Sequence, residues 1–209
     1  MEITEIRRTK RGRYSVYVDD GEFACVLHEE VYAASGLCGA GEVSPEVLAG
    51  LERESLHKLA KERALRLLSG RAYTGQRLYQ KLLEKVGDEE AAAAAVARMA
   101  ELGLVDDADY ARRFAADCVN LKGYSLSRTA QALREKGIGR EIIEEVLAQM
   151  EEDPQSAIAR IVRRKYLRYL EDEKGVIKTV NALGRLGYRL GDIRAVLENL
   201  AENESFYDE

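Results

Sequence analysis

Five cations, Arg160, Arg163, Arg164, Lys165 and Arg168, stand within nine residues with no acid between them. Such a run suits a polyanion, either an acidic protein groove or a phosphodiester backbone. On an α-helix over 158–169, the spacing of 160, 164 and 168 makes a stripe opposite Ile158, Ile161, Val162 and Tyr166. Like charges this close cost helix stability unless a partner or nearby acids offset them, so a solvated face and a binding face both stay open. A second set, Arg77, Arg128 and Lys178, recurs at intervals of 51 and 50 residues. Regular spacing would let the three follow a periodic polyanionic surface, although solvated surface charge explains them too. Tyr166 and Tyr169 read as packing residues rather than base-stacking platforms.

The residue types that catalysis needs are present but not assembled. His28 and His57 are isolated from any nucleophile motif. No glycine loop ends in Gly-Lys-Ser/Thr, and no dinucleotide fingerprint is present. Cys25, Cys38 and Cys118 are odd in number and in no metal-ligand or redox spacing, which argues against a disulfide framework and against zinc. The acidic clusters Asp88-Glu89-Glu90 and Glu144-Glu145 fit helix starts and exposed faces. The expectation is a protein without catalytic residues, cofactor or metal.

The surrounding chain is helix-rich. In 209 residues there are two prolines, no tryptophan and one-third charged side chains, a composition that favours a mainly α protein over a sandwich or barrel. The net charge of -5 conceals an asymmetry: residues 154–200 hold ten basic residues against five acidic ones, whereas 28–60 hold two against six. Charge at the N-terminus where a signal peptide needs an apolar run, and no stretch of membrane-spanning length, lead to the expectation of a cytoplasmic location without membrane association.

Tyr14, Val16 and Val18 alternate, Asp19-Asp20-Gly21 supplies turn chemistry, and Phe23 to Leu27 is apolar, which predicts a β-hairpin. Gly36, Gly39 and Gly41 then break the chain before Ser44-Pro45-Glu46, where a serine cap, a first-turn proline and an acid open a helix expected to reach about Ser69. Only helices are expected beyond it. Aligning Leu82, Leu133 and Leu183 brings the following positions into register without a gap: Ala92 with Ile143 and Ile193, Ala95 with Val146 and Val196, Val96 with Leu147 and Leu197, Met99 with Met150 and Leu200. Those four sit at i, i+3, i+4 and i+7, one helical face. With an earlier helix in each unit, around Ala64 to Leu68, Tyr110 to Phe114 and Ile158 to Tyr169, three helices per repeat result. The expected organisation is a hairpin, glycine-rich loop and helix start at 1–54, repeats at 55–108, 109–153 and 154–203, and an acidic tail at 204–209. Small units should stack into an elongated curved array.

Helix-turn-helix geometry invites a DNA-reader hypothesis. Its recognition helices would, however, bring Asp88-Glu89-Glu90 and Glu141, Glu144 and Glu145 toward phosphates, so base readout by them is disfavoured.

Tyr110-Ala111-Arg112-Arg113-Phe114, Lys122-Gly123-Tyr124 leading to Leu133-Arg134-Glu135-Lys136-Gly137-Ile138, and Glu101 to Asp107 together resemble the RecX family of regulatory proteins, across essentially the whole chain. Two departures stand out. Where that family usually has Gly-Pro-Arg-Arg-Ile-Arg, this chain has Ser125 to Ala130, two arginines fewer, and Val86-Gly87 replaces a glycine followed by an aromatic. The resemblance implies a modulator, mainly an inhibitor, of the RecA recombinase, acting in recombination, DNA repair and the SOS response. It implies a body lying in the groove of the RecA filament on single-stranded DNA. From their charge and spacing, Arg77, Arg128, Lys178 and the 160–168 cations are the candidates for contact with the filament or with phosphate, and a monomer is expected. A weak, sequence-independent nucleic-acid binder and a generic helical scaffold are the alternatives.

Overall fold

The computed structural model describes residues 1–205 other than 38, 40 and 152, with side chains as far as Leu200. Cys38 and the acidic side chains of the tail therefore lie outside the described residues. The chain divides into two units, Met1–Asp106 and Asp107–Glu209.

The first unit opens on four antiparallel strands, β1 (Glu2–Arg8), β2 (Tyr14–Val18), β3 (Glu22–Leu27) and β4 (Gly41–Glu42), in the order β3-β2-β1-β4. The expected hairpin is β2 and β3. Strand β1 escapes a period-two reading because a bulge between Ile3 and Glu5 breaks the alternation: Ile3 pairs with Val18 and Ile6 with Val16, so residues three apart share one face. A short helix, α1 (Glu29–Ser35), follows, capped by the His28 ring, whose Nδ1 accepts from the Glu30 N–H. That leaves the proton on Nε2, which faces Glu62 at 2.9 Å. Both nitrogens of His28 are thus spent on holding α1 against the next helix.

That next helix, α2 (Pro45–Leu68), starts as its sequence dictates, with the Ser44 hydroxyl accepting from the Val47 N–H and Pro45 in the first turn. It serves two cores. Leu48 packs under the sheet with Ile3, Val16 and Leu27, while Ala60 and Ala64 pack with α3 (Gly75–Val86) and α4 (Glu89–Glu101) around Leu78, Leu82 and Met99.

The second unit holds two further three-helix groups. α5 (Asp107–Asp117) runs into a π turn (Cys118–Lys122) and is followed by α6 (Leu126–Glu135) and α7 (Arg140–Ala148). Then α8 (Pro154–Ile161) runs into a π turn (Val162–Tyr166) and a 3-10 turn (Leu167–Tyr169), followed by α9 (Glu173–Arg185) and α10 (Leu190–Ser205). The aligned anchors Leu82, Leu133 and Leu183 are each fully buried in a separate core, and the aligned sets Ala92, Ile143, Ile193 and Ala95, Val146, Val196 are buried beside them. At about 1.5–3 kcal/mol per buried leucine, isoleucine or valine, and about 0.8 kcal/mol for the single methyl of Ala92 or Ala95, these matched stripes supply each group with its own folding drive.

The turn after the second helix differs between groups in the way the glycines foretell. After α6 and α9 the chain closes a paired motif: Ile138 N–H reaches Leu133 O and Gly137 N–H reaches Arg134 O, and Tyr188 and Gly187 repeat this onto Leu183 and Gly184. After α3, Gly87 itself takes the left-handed conformation and donates a single bond to Leu83 O. Without a residue equivalent to Ile138 or Tyr188 to tuck inward, half-buried Val86 packs on that core instead.

Candidate partner-binding surface

Arg77 and Arg128 are set by matching caps. Thr74 accepts from the Arg77 N–H and Ser125 from the Arg128 N–H, both at 3.2 Å, so both arginines are the third residue of their helix. The third group breaks this pattern. Its helix is capped by Asp172, which accepts from the Gly175 N–H at 2.6 Å, so α9 begins earlier and Lys178 stands a further turn inside it. The equivalence read from the leucine anchors survives in the cores but not at the helix starts.

The three cations also differ in surroundings. Arg77 is exposed and contacts Gln80 at 3.3 Å. Arg128 is half-buried, with its guanidinium 5.4 Å from the Tyr124 ring centre and a nitrogen 3.3 Å from Glu135. Lys178 is exposed and has no ion pair among the described residues. Arg77 belongs to the first unit and the other two to the second.

Arg160, Arg163, Arg164, Lys165 and Arg168 are all exposed, and none forms an ion pair among the described residues. The expected core face is right: Ile158, Ile161, Val162 and Tyr166 all pack into the third core. The expected uniform helix over 158–169 is not, because α-helical bonding ends at Ile161 and gives way to the π and 3-10 turns. A 160/164/168 stripe argued from α-helical spacing therefore loses its basis beyond Ile161. Arg163 and Arg164 instead line two surface depressions of about 700 and 690 Å³, the first shared with Arg160 and the second with Lys165 and Arg168. Arg168 lies over the Tyr169 ring at 5.2 Å.

A cluster that spacing alone does not announce surrounds the first π turn. Lys122 lies 4.7 Å from the Phe114 ring centre and 5.5 Å from that of Tyr124, and Lys136 lies 5.5 Å from Phe114. With Arg128, three cations share two rings. Each ring face attracts a cation by about 0.5–1 kcal/mol at an exposed site, which offsets part of the repulsion between the like charges. The only legible signal was that Phe114, Lys122 and Tyr124 fall in the stretches carrying the family resemblance.

The carboxylates have structural occupations. Asp88 caps α4 by accepting from the Ala91 N–H at 2.7 Å, and Glu144 holds Arg140 at 2.6 Å. Burial, with the nearby charge of Glu52 as a lesser cause, pushes the Cys25 thiol up to about 11. Burial likewise raises that of Cys118. Among the described residues no group of three His, Cys, Asp or Glu side chains could hold a metal, and no helix is long and apolar enough to cross a membrane.

Family models match this arrangement of helices: residues 60–99 match the first three-helix domain of RecX and 106–147 the second. The regulatory protein RecX of Caldanaerobacter subterraneus subsp. tengcongensis is 32% identical over 171 residues, covering 81% of this chain and 86% of that protein. The chain belongs to the RecX family. RecX of Clostridioides difficile is 28% identical over 209 residues, spanning 98% of both chains. A crystal structure of a regulatory protein RecX, 24% identical, shares the fold with a TM-score of 0.63 over 94% of this chain and 98% of its own. RecX from Lactobacillus salivarius, 19% identical, superposes with a TM-score of 0.59 over 70% of this chain. Both family-model matches end before the 160–168 cations, whereas the cation-aromatic cluster around Phe114 and Tyr124 falls inside the second.

Proposed function

We propose that this RecX-family chain regulates a RecA recombinase by docking in the groove of the RecA filament on single-stranded DNA. Occupying that groove would limit filament growth, ATP hydrolysis, strand exchange and coprotease activity, without chemistry of its own. Family membership supplies the coarse activity, a regulator acting on RecA. The observation that supports the docking is the threefold repetition of one core stripe, in which each group carries a cation on its second helix. A helical polymer offers the same surface again at each subunit, and linking several weak contacts raises avidity by about 10²–10⁴ with no single tight site. The repeats proposed to act in this way are those at 55–108, 109–153 and 154–203, in a cytoplasmic monomer.

The deciding experiment adds the purified protein to RecA filaments on single-stranded DNA and records ATP hydrolysis alongside images of the filaments. The expected result is a dose-dependent fall in hydrolysis with shortened filaments. Hydrolysis and filament length unchanged at every dose would overturn the docking reading. The unpaired cations at 160–168 favour a second reading, weak sequence-independent binding to nucleic acid. Binding to bare single-stranded DNA that equals binding to the filament, with the same steep salt dependence, would select it.

A further inference from the structure

The first unit contains a basic cleft that none of the proposed RecA contacts uses. It lies between the β1–β2 turn, one face of α2 and the end of α3, with a volume of about 430 Å³. On α2, Leu56, Leu59, Arg63 and Arg66 follow one another at steps of three and four, the spacing of a single helical face. From the turn come Arg11 and Arg13, and from the last turn of α3 comes Lys85. Five cations thus line one cleft against one carboxylate, Glu62, and that carboxylate already faces His28 at 2.9 Å.

Three features separate this cleft from a solvated surface. The turn is built: Thr9 N–H donates to Arg13 O at 2.7 Å, Arg13 N–H returns to the Thr9 hydroxyl at 3.1 Å, and Gly12 supplies the left-handed residue at φ 76°. Arg11, Arg13, Arg63 and Arg66 form no ion pair among the described residues, and Lys85 has only a loose one, 3.7 Å from a Glu84 that Lys81 holds at 2.8 Å. Arg63 Nε is buried with no hydrogen-bond partner, an unmet donor of the kind a folded protein rarely leaves.

We infer that this cleft is a binding site for a phosphate-bearing ligand. Guanidinium forks match oxyanions by paired hydrogen bonds, and one phosphate offers oxygens to several forks at once where a carboxylate has only two. Leu56, Leu59 and Val86 give the cleft apolar wall beside that charge, suited to a sugar or base attached to the phosphate. Two sources share this chemistry, a small phosphorylated molecule and the backbone of a nucleic acid. The inference stands apart from the RecA reading, since it uses none of Arg77, Arg128, Lys178 or the 160–168 cations.

The test uses the full-length chain with inorganic pyrophosphate, measured by calorimetry, and a labelled oligo-deoxythymidylate, measured by anisotropy over a salt series. The double variant Arg11→Glu/Arg66→Glu changes two exposed side chains, with helix content checked by circular dichroism. At least tenfold weaker binding of either probe by this variant, with Arg194→Glu, an exposed cation on α10 with no role in either proposed surface, unchanged, supports the site. For the oligonucleotide, the log-log salt slope should also fall by about 0.7 for each phosphate that the variant no longer neutralises. Pyrophosphate binding identifies a small phosphorylated ligand, and oligonucleotide binding alone identifies a backbone. Arg63→Lys, which keeps the charge but removes the fork, should weaken binding while leaving the unfolding midpoint near that of the parent. Probe binding indifferent to the double variant, or poly-glutamate bound as tightly as the oligonucleotide, overturns the inference.

Discussion

Thr129 is completely buried in α6, and its hydroxyl has no hydrogen-bond partner among the described residues. Its counterpart Thr179 is equally buried but donates to Gly175 O at 2.9 Å, so the same residue type at the same repeat position is satisfied in one group and not in the other. A buried hydroxyl without a partner carries its full desolvation penalty. Replacing it by a methyl of the same shape, Thr129→Val, should raise the unfolding free energy by about 1 kcal/mol, read from the urea midpoint at unchanged slope. A lowered midpoint would mean that the hydroxyl has a partner in solution. Cys25 provides the pH-dependent case. Its thiol is held up to about 11 by burial and Glu52, above the ordinary value of 9.0, so the folded state keeps the proton longer than the unfolded one. Its contribution to stability is therefore complete below pH 9 and declines from there towards 11. Cys25→Ala should remove that part of the alkaline decline, visible as a wild-type-minus-variant difference that shrinks across this window in urea titrations. A constant difference would exclude Cys25 as a source of it.

At the level of elements, what was legible and what was not follow the range of the forces involved. The second and third helices of each group were legible because their cores repeat a 3.6-residue stripe anchored by Leu82, Leu133 and Leu183, and α2 because Ser44 and Pro45 mark its start. Strand β1 was hidden by its bulge, and α1 by an unusual cap, an imidazole in place of a hydroxyl or carboxylate. Neither π turn has a local signature, since a bond from residue i+5 depends on what packs around it. The cation-aromatic cluster and the basic cleft of the first unit were equally invisible, because each gathers residues from separate segments. Ser125 shows how an element can join its neighbours. Its hydroxyl accepts from the Arg128 N–H to cap α6 and donates to Gly187 O at 2.9 Å, and its own N–H reaches Leu186 O at 2.9 Å. The turn after α9 comes so near that a Cβ on Gly187, already at φ +93°, would lie 2.5 Å from the Ser125 oxygen. Ser125→Ala should therefore lose both a cap and a link between groups, lowering the unfolding free energy by about 1–3 kcal/mol in urea titrations. A loss no larger than that of Ser44→Ala, whose exposed hydroxyl caps α2, would mean that the link to Gly187 contributes nothing beyond the cap.

For the molecule as a whole, a net charge of -5 does not by itself disfavour the proposed docking, because the total says nothing of where cations stand without ion pairs. Most ion pairs of the described residues join neighbours on one helix, as Arg113 does with Asp109 and Arg98 with Glu101 at 2.8 Å, and they cancel charge locally. The 160–168 run and Lys178 have no ion pair among the described residues, so their charge is not cancelled in this way. If that charge helps dock the chain on RecA filaments, reversing Arg160, Arg164 and Arg168 to glutamate should weaken inhibition of ATP hydrolysis at least tenfold near physiological salt. The deficit should narrow as salt rises, because screening removes from the parent what the variant already lacks. Reversing Arg77, Arg128 and Lys178 together should weaken filament binding while leaving the far-ultraviolet helix signal in place. The two sets occupy different helices, so each variant tests a different part of the proposed surface. Wild-type inhibition by the 160–168 variant at every salt concentration would remove that run from the docking surface, and wild-type inhibition by the other triple variant would remove the cations of the second helices.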